Sequence, residues 1–187
     1  MTDLQKSTSI AIVYHSNYGH TRRVAHAIAE GAQAVLGVQQ ARAIDIHEVD
    51  WDFVDAADMI VFGSAVYMGS APAEFKAFMD ETSKRWYHRK WEGKWAAGFA
   101  NSGGLSGDKL LVLQQICLFA MQHGMHWTGM PLMPTGHTES DLNRLSSFLG
   151  LMTQSLDAPP EETPCQGDIG SAIWFGKHLA NTMLQYS

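Results

Sequence analysis

Cysteine is scarce in this sequence, and its histidines are scattered. The chain of 187 residues holds two cysteines, Cys117 and Cys165, which lie far apart and form no C-x-x-C pair. A disulfide framework and a cysteine-ligated metal site are therefore not expected, and Cys117, in an apolar stretch, is interpreted as a buried thiol. The histidines show no metal-ligand grouping, so the sequence predicts no metal centre.

An excess of positive charge is also missing. The formal net charge is −6, which argues against nucleic acid as a partner. The most basic stretch, residues 84–94 (KRWYHRKWEGK), mixes aromatic with basic residues. We interpret it as a surface loop between two elements, with an RNA-stacking segment as the less favoured alternative.

Long apolar runs are missing too. The N-terminal stretch MTDLQKSTS has no apolar centre, so we expect no signal peptide. No apolar run approaches the ~18 residues that a membrane span needs. We therefore expect a cytoplasmic protein with no membrane span.

Strand-like and helix-like patterns alternate along the chain. A length of 187 residues, 45% of them hydrophobic and 17% charged, suits one globular domain over residues 1–187. Nearly continuous apolar runs are typical of parallel strands covered on both faces, and they predict five strands. These are residues 10–14, 41–46 (the weakest), 58–64, 95–101 and 125–130.

Apolar residues at helical spacing lie between and after these runs. The four predicted helices contain Val24, Ile28, Ala32 and Val35, ending near Gly37; Phe75, Phe78 and Met79 after Pro72; Leu111, Leu113, Ile116 and Phe119, capped by Asp108; and Ile173, Lys177, Ala180 and Leu184. The alternation predicts an α/β fold with a doubly wound parallel sheet and right-handed crossovers.

Residues 135–168 fit this alternation less well. They contain a short possible helix followed by a loop rich in proline and glutamate. A loop of this length usually has a function or packs against a partner. The alternative is a loosely ordered surface excursion.

Three polar loops follow predicted strands and therefore meet at one edge of the sheet, where ligands of such folds bind. They read HSNYGHT, SAVYMGSAP and NSGGLSGD. The first matches neither the Walker P-loop nor the dinucleotide G-x-G-x-x-G. Its hydroxyls, amide and backbone N–H groups at a helix N-terminus suit one terminal phosphate.

Together, these loops resemble those of the flavodoxin-like FMN proteins, above all the tryptophan-repressor-binding-protein type of NAD(P)H:quinone oxidoreductase. The stretches YHSNYGHTRRVAHAIAEGA, ADMIVFGSAVYMGSAPAEFKAFMDET and GKWAAGFANSGG carry the resemblance, with QHGM further on. It implies a three-layer sandwich around a five-stranded parallel sheet in the order 2-1-3-4-5. It also implies FMN as cofactor and NAD(P)H as electron donor.

The resemblance assigns each loop a part of the FMN. The first loop would hold the phosphate, the second would lie along the ring, and the third would border its pyrimidine side. The implied cofactor-binding residues are Ser16, Asn17, Tyr18, Gly19, His20 and Thr21; Ser64, Ala65, Val66, Tyr67, Met68 and Gly69; and Asn101, Ser102, Gly103, Gly104, Leu105 and Asp108. Arg22 and Arg23 are interpreted as solvated surface charges rather than phosphate contacts.

Three residues are implied as catalytic. Tyr67 would contact flavin or substrate, Trp86 would border the flavin, and His123 would reach toward it, often across a subunit boundary. The alternatives are a loop aromatic for Tyr67, a surface packing residue for Trp86 and a helix-end cation for His123. The family usually has Thr-Pro-Thr-Arg-Phe-Gly in the second loop, so SAVYMG departs from it. The family's later Pro-Tyr-Gly is absent as well.

Two functions compete. The favoured one is an enzyme that passes two electrons from NAD(P)H through FMN to a quinone, because the third loop supplies no aromatic residue to cover the ring. The alternative is a one-electron carrier of the flavodoxin type, serving protein partners. For the enzyme we expect a homodimer or homotetramer.

Overall fold

The computed structural model describes residues 8–186. Residues 1–7, which include most of the stretch where no signal peptide is expected, lie outside the described part. Within residues 8–186 the sheet has six strands, all paired in parallel. They are β1 (Thr8–Tyr14), β2 (Val38–Asp45), β3 (Met59–Ala65), β4 (Trp95–Ser102), β5 (His126–Trp127) and β6 (Leu151–Gln154).

The main path through the sheet runs β2-β1-β3-β4-β5, which confirms the predicted order. The fifth position is shared, because β5 pairs with the start of β4 and β6 pairs with its end. The predicted strand 125–130 is therefore wrong in length. After Thr128 the chain leaves the sheet, and the N–H of Met130 donates to the carbonyl of Phe148 instead.

Helices connect the strands and cover both faces of the sheet. They are α1 (His20–Gln33), α2 (Trp51–Ala56), α3 (Ala73–Glu81), α4 (Ser83–Tyr87), α5 (Lys109–Gln122) and α6 (Gln166–Gln185). The four predicted helices are confirmed as α1, α3, α5 and α6, whereas α2 and α4 were not predicted. Helix α4 occupies part of the segment interpreted as a surface loop.

Three local predictions are wrong. Asp108 precedes α5 but its side chain makes no capping bond, because its backbone is left-handed with φ of 55°. Helix α1 ends at Gln33 rather than near Gly37. Residues 137–149 contain turns rather than a short helix.

Strand β1 shows why the strand pattern is apolar throughout. Ile10 and Ile12 face a layer formed with α1 and α6, whereas Ala11 and Val13 face the layer formed with α2, α3 and α5. All four are fully buried. A strand covered on both faces needs apolar residues at every position, not at alternate ones.

Helices α1 and α6 touch backbone to backbone. A Cβ added to Gly31 would lie 2.0 Å from the carbonyl oxygen of Ile173, and one added to Gly176 would lie 2.0 Å from that of Ile28. Both glycines are therefore needed for the close approach of the two helices. This contact fixes α6 against the helix that follows the first loop.

Candidate functional site

A cleft of about 480 Å³ opens at the carboxyl edge of the sheet, within the range of about 300–1,000 Å³ usual for small-molecule sites. All three predicted loops reach it. The residues implied by the family resemblance that line it are Ser16, Asn17, Tyr18, His20, Thr21, Ala65, Val66, Tyr67, Asn101, Ser102 and Gly103. The structure thus brings together implied residues from three loops that are far apart in the chain.

The other implied cofactor residues lie near the cleft but do not line it. Ser64 is buried within β3, where its hydroxyl donates to the carbonyl of Ala65. Gly19 faces a neighbouring cavity. The remaining residues belong to the tips and far ends of the second and third loops; they are Met68, Gly69, Gly104, Leu105 and Asp108.

The first loop turns sharply into helix α1 at the cleft. Its N–H at Gly19 donates to the Ser16 hydroxyl at 3.1 Å, and Gly19 has φ of +87°. Helix α1 starts at the next residue, so its unpaired N–H groups and its positive dipole end face the cleft entrance. Hydroxyl, amide and backbone donors of this kind fit a phosphate dianion without a lysine.

The second loop is a tight two-residue turn. Tyr67 and Ser70 exchange backbone hydrogen bonds of 3.0 and 3.1 Å, and both residues between them, Met68 and Gly69, have positive φ. The turn exposes Met68 completely and leaves Tyr67 at the cleft. Burial raises the pKa of Tyr67, so its hydroxyl stays protonated at neutral pH.

A fourth wall of the cleft was not predicted. Residues from the segment after β6 line it, among them Leu156, Asp157 and Pro160. The His20 Nε2 lies 2.8 Å from the carbonyl oxygen of Ala158. Only the unusual length of the excursion pointed to a function, since neither periodicity nor a motif marks these residues.

Arg23 ties this fourth wall to the first loop. Its guanidinium donates to the carbonyl oxygens of Pro160 at 2.8 Å and Pro164 at 3.1 Å. The interpretation of Arg23 as a solvated surface charge is therefore wrong, while Arg22 is exposed as expected. The partners of Arg23 are 137 and 141 positions away, beyond the reach of local sequence patterns.

Trp86 and His123 do not line this cleft. They face a separate groove of about 630 Å³ between α3, α4 and α5, which we call the α4–α5 groove; its other lining residues include Met79, Gln115 and Leu118. Trp86 is 41% exposed there. Within one chain, the structure therefore does not bring Trp86 and His123 together with Tyr67.

His123 is buried and neutral. Its Nε2 lies 2.9 Å from the Thr82 hydroxyl, and its ring lies 4.5 Å from that of Trp91. Burial, and secondarily the charge of Arg89, lowers the pKa of His123 to about 4. A cationic role at the helix end is therefore wrong at neutral pH.

We expect His123 to make the fold acid-sensitive. An unfolded histidine takes up a proton near pH 6.5, whereas the folded one resists protonation down to about pH 4. The contribution of the neutral ring to the free energy of unfolding is complete above pH 6.5. It decreases as the pH falls, by about 2 kcal/mol at pH 5. Denaturant titrations at pH 7.5 and 5.0 should show a smaller stability loss for His123→Gln than for wild type.

The exposed His88 provides the control. His88→Gln should lose as much stability between the two pH values as wild type does. Equal losses in His123→Gln and wild type would contradict a neutral, buried His123.

Comparison with known proteins places the chain in a family. Residues 52–138 match the family model described as NADPH-dependent FMN reductase. Flavodoxin FldP of Pseudomonas aeruginosa is 42% identical over 173 residues, which cover 90% of this chain and 93% of that protein. The chain belongs to the flavodoxin-like family of FMN oxidoreductases.

Further relatives confirm the predicted fold and family. A WrbA-like flavodoxin structure from Agrobacterium tumefaciens is 36% identical with a TM-score of 0.77, covering 97% of this chain and all of that one. An NAD(P)H dehydrogenase (quinone) of Geotalea daltonii is 27% identical over 195 residues, which cover 92% of this chain and 95% of that protein. The flavodoxin-like chain is thus of the WrbA type.

Residues 8–186 contain neither a membrane-spanning helix nor a metal-binding cluster. None of the helices in this range has the length and hydropathy of a membrane span. The same range contains no cluster of three or more His, Cys, Asp or Glu side chains suited to a metal ion.

Both free cysteines are partly buried, and burial raises the pKa of the Cys117 thiol.

Proposed function

We propose that this flavodoxin-like protein passes two electrons from NAD(P)H to a quinone-like acceptor by means of FMN bound in the cleft. The observation that carries the proposal is the lining of the cleft. The first two loops contribute Tyr18 and Tyr67, whereas the third contributes only small polar residues and glycine. A lining without an aromatic residue from the third loop leaves space for a planar substrate beside the cofactor.

Bound FMN would supply hydride acceptance and two-electron delivery, and the protein would position donor and acceptor. The first loop would hold the phosphate through the hydroxyls of Ser16 and Thr21 and through backbone N–H groups. Tyr67, with its protonated hydroxyl, orients the acceptor. The proton that the acceptor needs comes from water, so no acid–base pair is required.

Trp86 joins the site from a second copy of the chain, with the buried His123 beside it in the same groove. Both line the α4–α5 groove, and Ser70 and Ala71, which directly follow the second-loop turn, line it too. The groove and the cleft therefore share one loop. A homodimer or homotetramer that covers this loop would bring Trp86 of one copy to the cleft of another.

A one-electron carrier is the second candidate. It is supported by the 42% identical relative named flavodoxin and by the two tyrosines at the cleft. A carrier would bind FMN but accept electrons from a protein reductase rather than directly from a nicotinamide.

Oxidation of NADH and NADPH in the presence of benzoquinone distinguishes the enzyme from the one-electron carrier. We expect FMN-reconstituted protein to turn over faster than ~1 s⁻¹, in the ordinary range of enzymes. Trp86→Ala should reduce this rate at least about tenfold, because loss of this positioning contact should raise the activation free energy by at least about 1.4 kcal/mol. Tyr87→Ala, which removes an exposed aromatic from the same helix, should leave the rate unchanged.

Different results would contradict the enzyme proposal and the contribution of a second copy. If the protein binds FMN but neither nucleotide reduces it, the enzyme proposal is wrong and the carrier replaces it. If Trp86→Ala retains full turnover, or the protein sediments as a monomer while turning over, the contribution of a second copy is wrong.

A further inference from the structure

Lys109 carries an ammonium group in the interior, directly behind the third loop. It is the first residue of α5 and has no exposed surface. Its Nζ donates to the Ser102 hydroxyl and to the Gly104 carbonyl, both at 2.7 Å. An ammonium is among the least favourable groups to bury, so a lysine used only for packing is not expected here.

The ammonium remains largely protonated at neutral pH. Burial lowers the pKa of Lys109 to about 8, and the charge of Arg144 acts in the same direction. The carboxylate of Asp168 opposes both, and it is itself held by Arg144 at 2.8 Å. A positive charge is thus maintained beneath the loop.

The third loop is folded tightly around this ammonium. The Ser102 hydroxyl donates to the Gly104 carbonyl at 3.1 Å. A Cβ added to Gly107 would lie 2.0 Å from the same hydroxyl oxygen. The Gln154 amide donates to the neighbouring Gly103 carbonyl at 2.9 Å.

These bonds orient two consecutive peptide groups. In a trans peptide the C=O and the N–H point in opposite directions. Since side chains hold the carbonyls of Gly103 and Gly104, the N–H groups of Gly104 and Leu105 point away from Gln154 and Lys109. The bonds therefore fix the peptide groups on both sides of Gly104, directly after the cleft-lining Ser102 and Gly103.

We propose that Lys109 is a positioning residue that holds the third loop, and with it the cleft-lining Ser102 and Gly103, in a fixed shape at the pyrimidine side of FMN, where reduction adds negative charge. The proposal rests on the FMN binding in the proposed function, but on neither its electron donor nor its acceptor. Preorganised N–H groups and a nearby cation stabilise added negative charge more than they stabilise a neutral ring.

The midpoint potential of bound FMN tests this proposal. Lys109→Met should weaken binding of reduced FMN about tenfold more than binding of oxidised FMN, the usual effect of one charge-assisted hydrogen bond. For a two-electron couple this lowers the midpoint potential by about 30 mV. Redox titration against reference dyes gives the potential, and fluorescence quenching gives the dissociation constant of oxidised FMN.

Two further variants complete the design. Gln154→Leu removes the tether on Gly103 without removing a charge, although it also removes an acceptor of the Arg144 guanidinium at 3.1 Å. It should shift the potential in the same direction, with about a threefold change in the ratio of the two FMN affinities. It carries the test if Lys109→Met does not fold. Lys177→Met removes an equal charge from the exposed face of α6 and should leave the potential unchanged.

The proposal is overturned if the Lys109 and Gln154 variants weaken both redox forms of FMN equally, since that is a structural effect. It is also overturned if Lys177→Met lowers the potential as much as Lys109→Met. Absence of quinone turnover would not affect these measurements, which need neither nucleotide nor quinone.

Discussion

Replacing Gly176 with alanine is expected to lower the free energy of unfolding by about 3 kcal/mol, as measured by urea denaturation of the apoprotein. The new Cβ would lie 2.0 Å from the carbonyl oxygen of Ile28 and 2.8 Å from the N of Ala32. Both are backbone atoms of α1, so α1 and α6 must move apart and lose packing. This cost exceeds the ~1 kcal/mol that alanine gains over glycine within a helix.

Gly170→Ala is the matched control in the same helix. There the new Cβ would approach only the end of the Leu142 side chain, at 2.9 Å, and that side chain can rotate. The control should therefore be neutral or more stable by up to about 1 kcal/mol. Equal destabilisation by both substitutions would show that the backbone contact between α1 and α6 does not limit stability.

Gly19→Ala should weaken FMN binding between about tenfold and a hundredfold. Alanine avoids φ of +87°, so the free loop relaxes and FMN binding must restore the strained backbone at a cost of about 1–2 kcal/mol. Each 1.4 kcal/mol is a factor of ten in affinity. In addition, the new Cβ would lie 2.8 Å from Pro160 Cγ, which separates the first loop from the fourth wall of the cleft. Quenching of FMN fluorescence on binding measures the change.

Gly37→Ala controls for backbone strain. Gly37 also has positive φ, +102°, but its Cβ would meet only the side chain of Leu184, beyond the end of α1. This variant should lose stability and keep the FMN affinity of wild type. A similar loss of affinity in both variants would mean that the first loop has no special part in holding FMN.

The sheet and three walls of the cleft could be predicted because their determinants are local. Strands such as β1 are buried on both faces and carry unbroken apolar runs, and parallel strands bring the loops that follow them to one edge. The first loop is recognisable for the same reason. Its hydroxyls, glycine and helix start are consecutive in the chain.

The remaining features depend on distant contacts. Strand β6 has four residues and β5 has two, too few for a periodic pattern. The pairing of Arg23 with Pro160 and Pro164 joins segments that no local rule connects. The family resemblance implies that Trp86 and His123 act at the flavin, whereas only the fold shows that within one chain they face the α4–α5 groove.

The split fifth strand has a consequence for self-association. An edge strand with a long row of unpaired backbone groups is a template for strand addition from another chain. At this edge the sheet ends in segments of two and four residues, with the whole of residues 128–150 between them. Strand-to-strand fusion through this side of the sheet is therefore disfavoured.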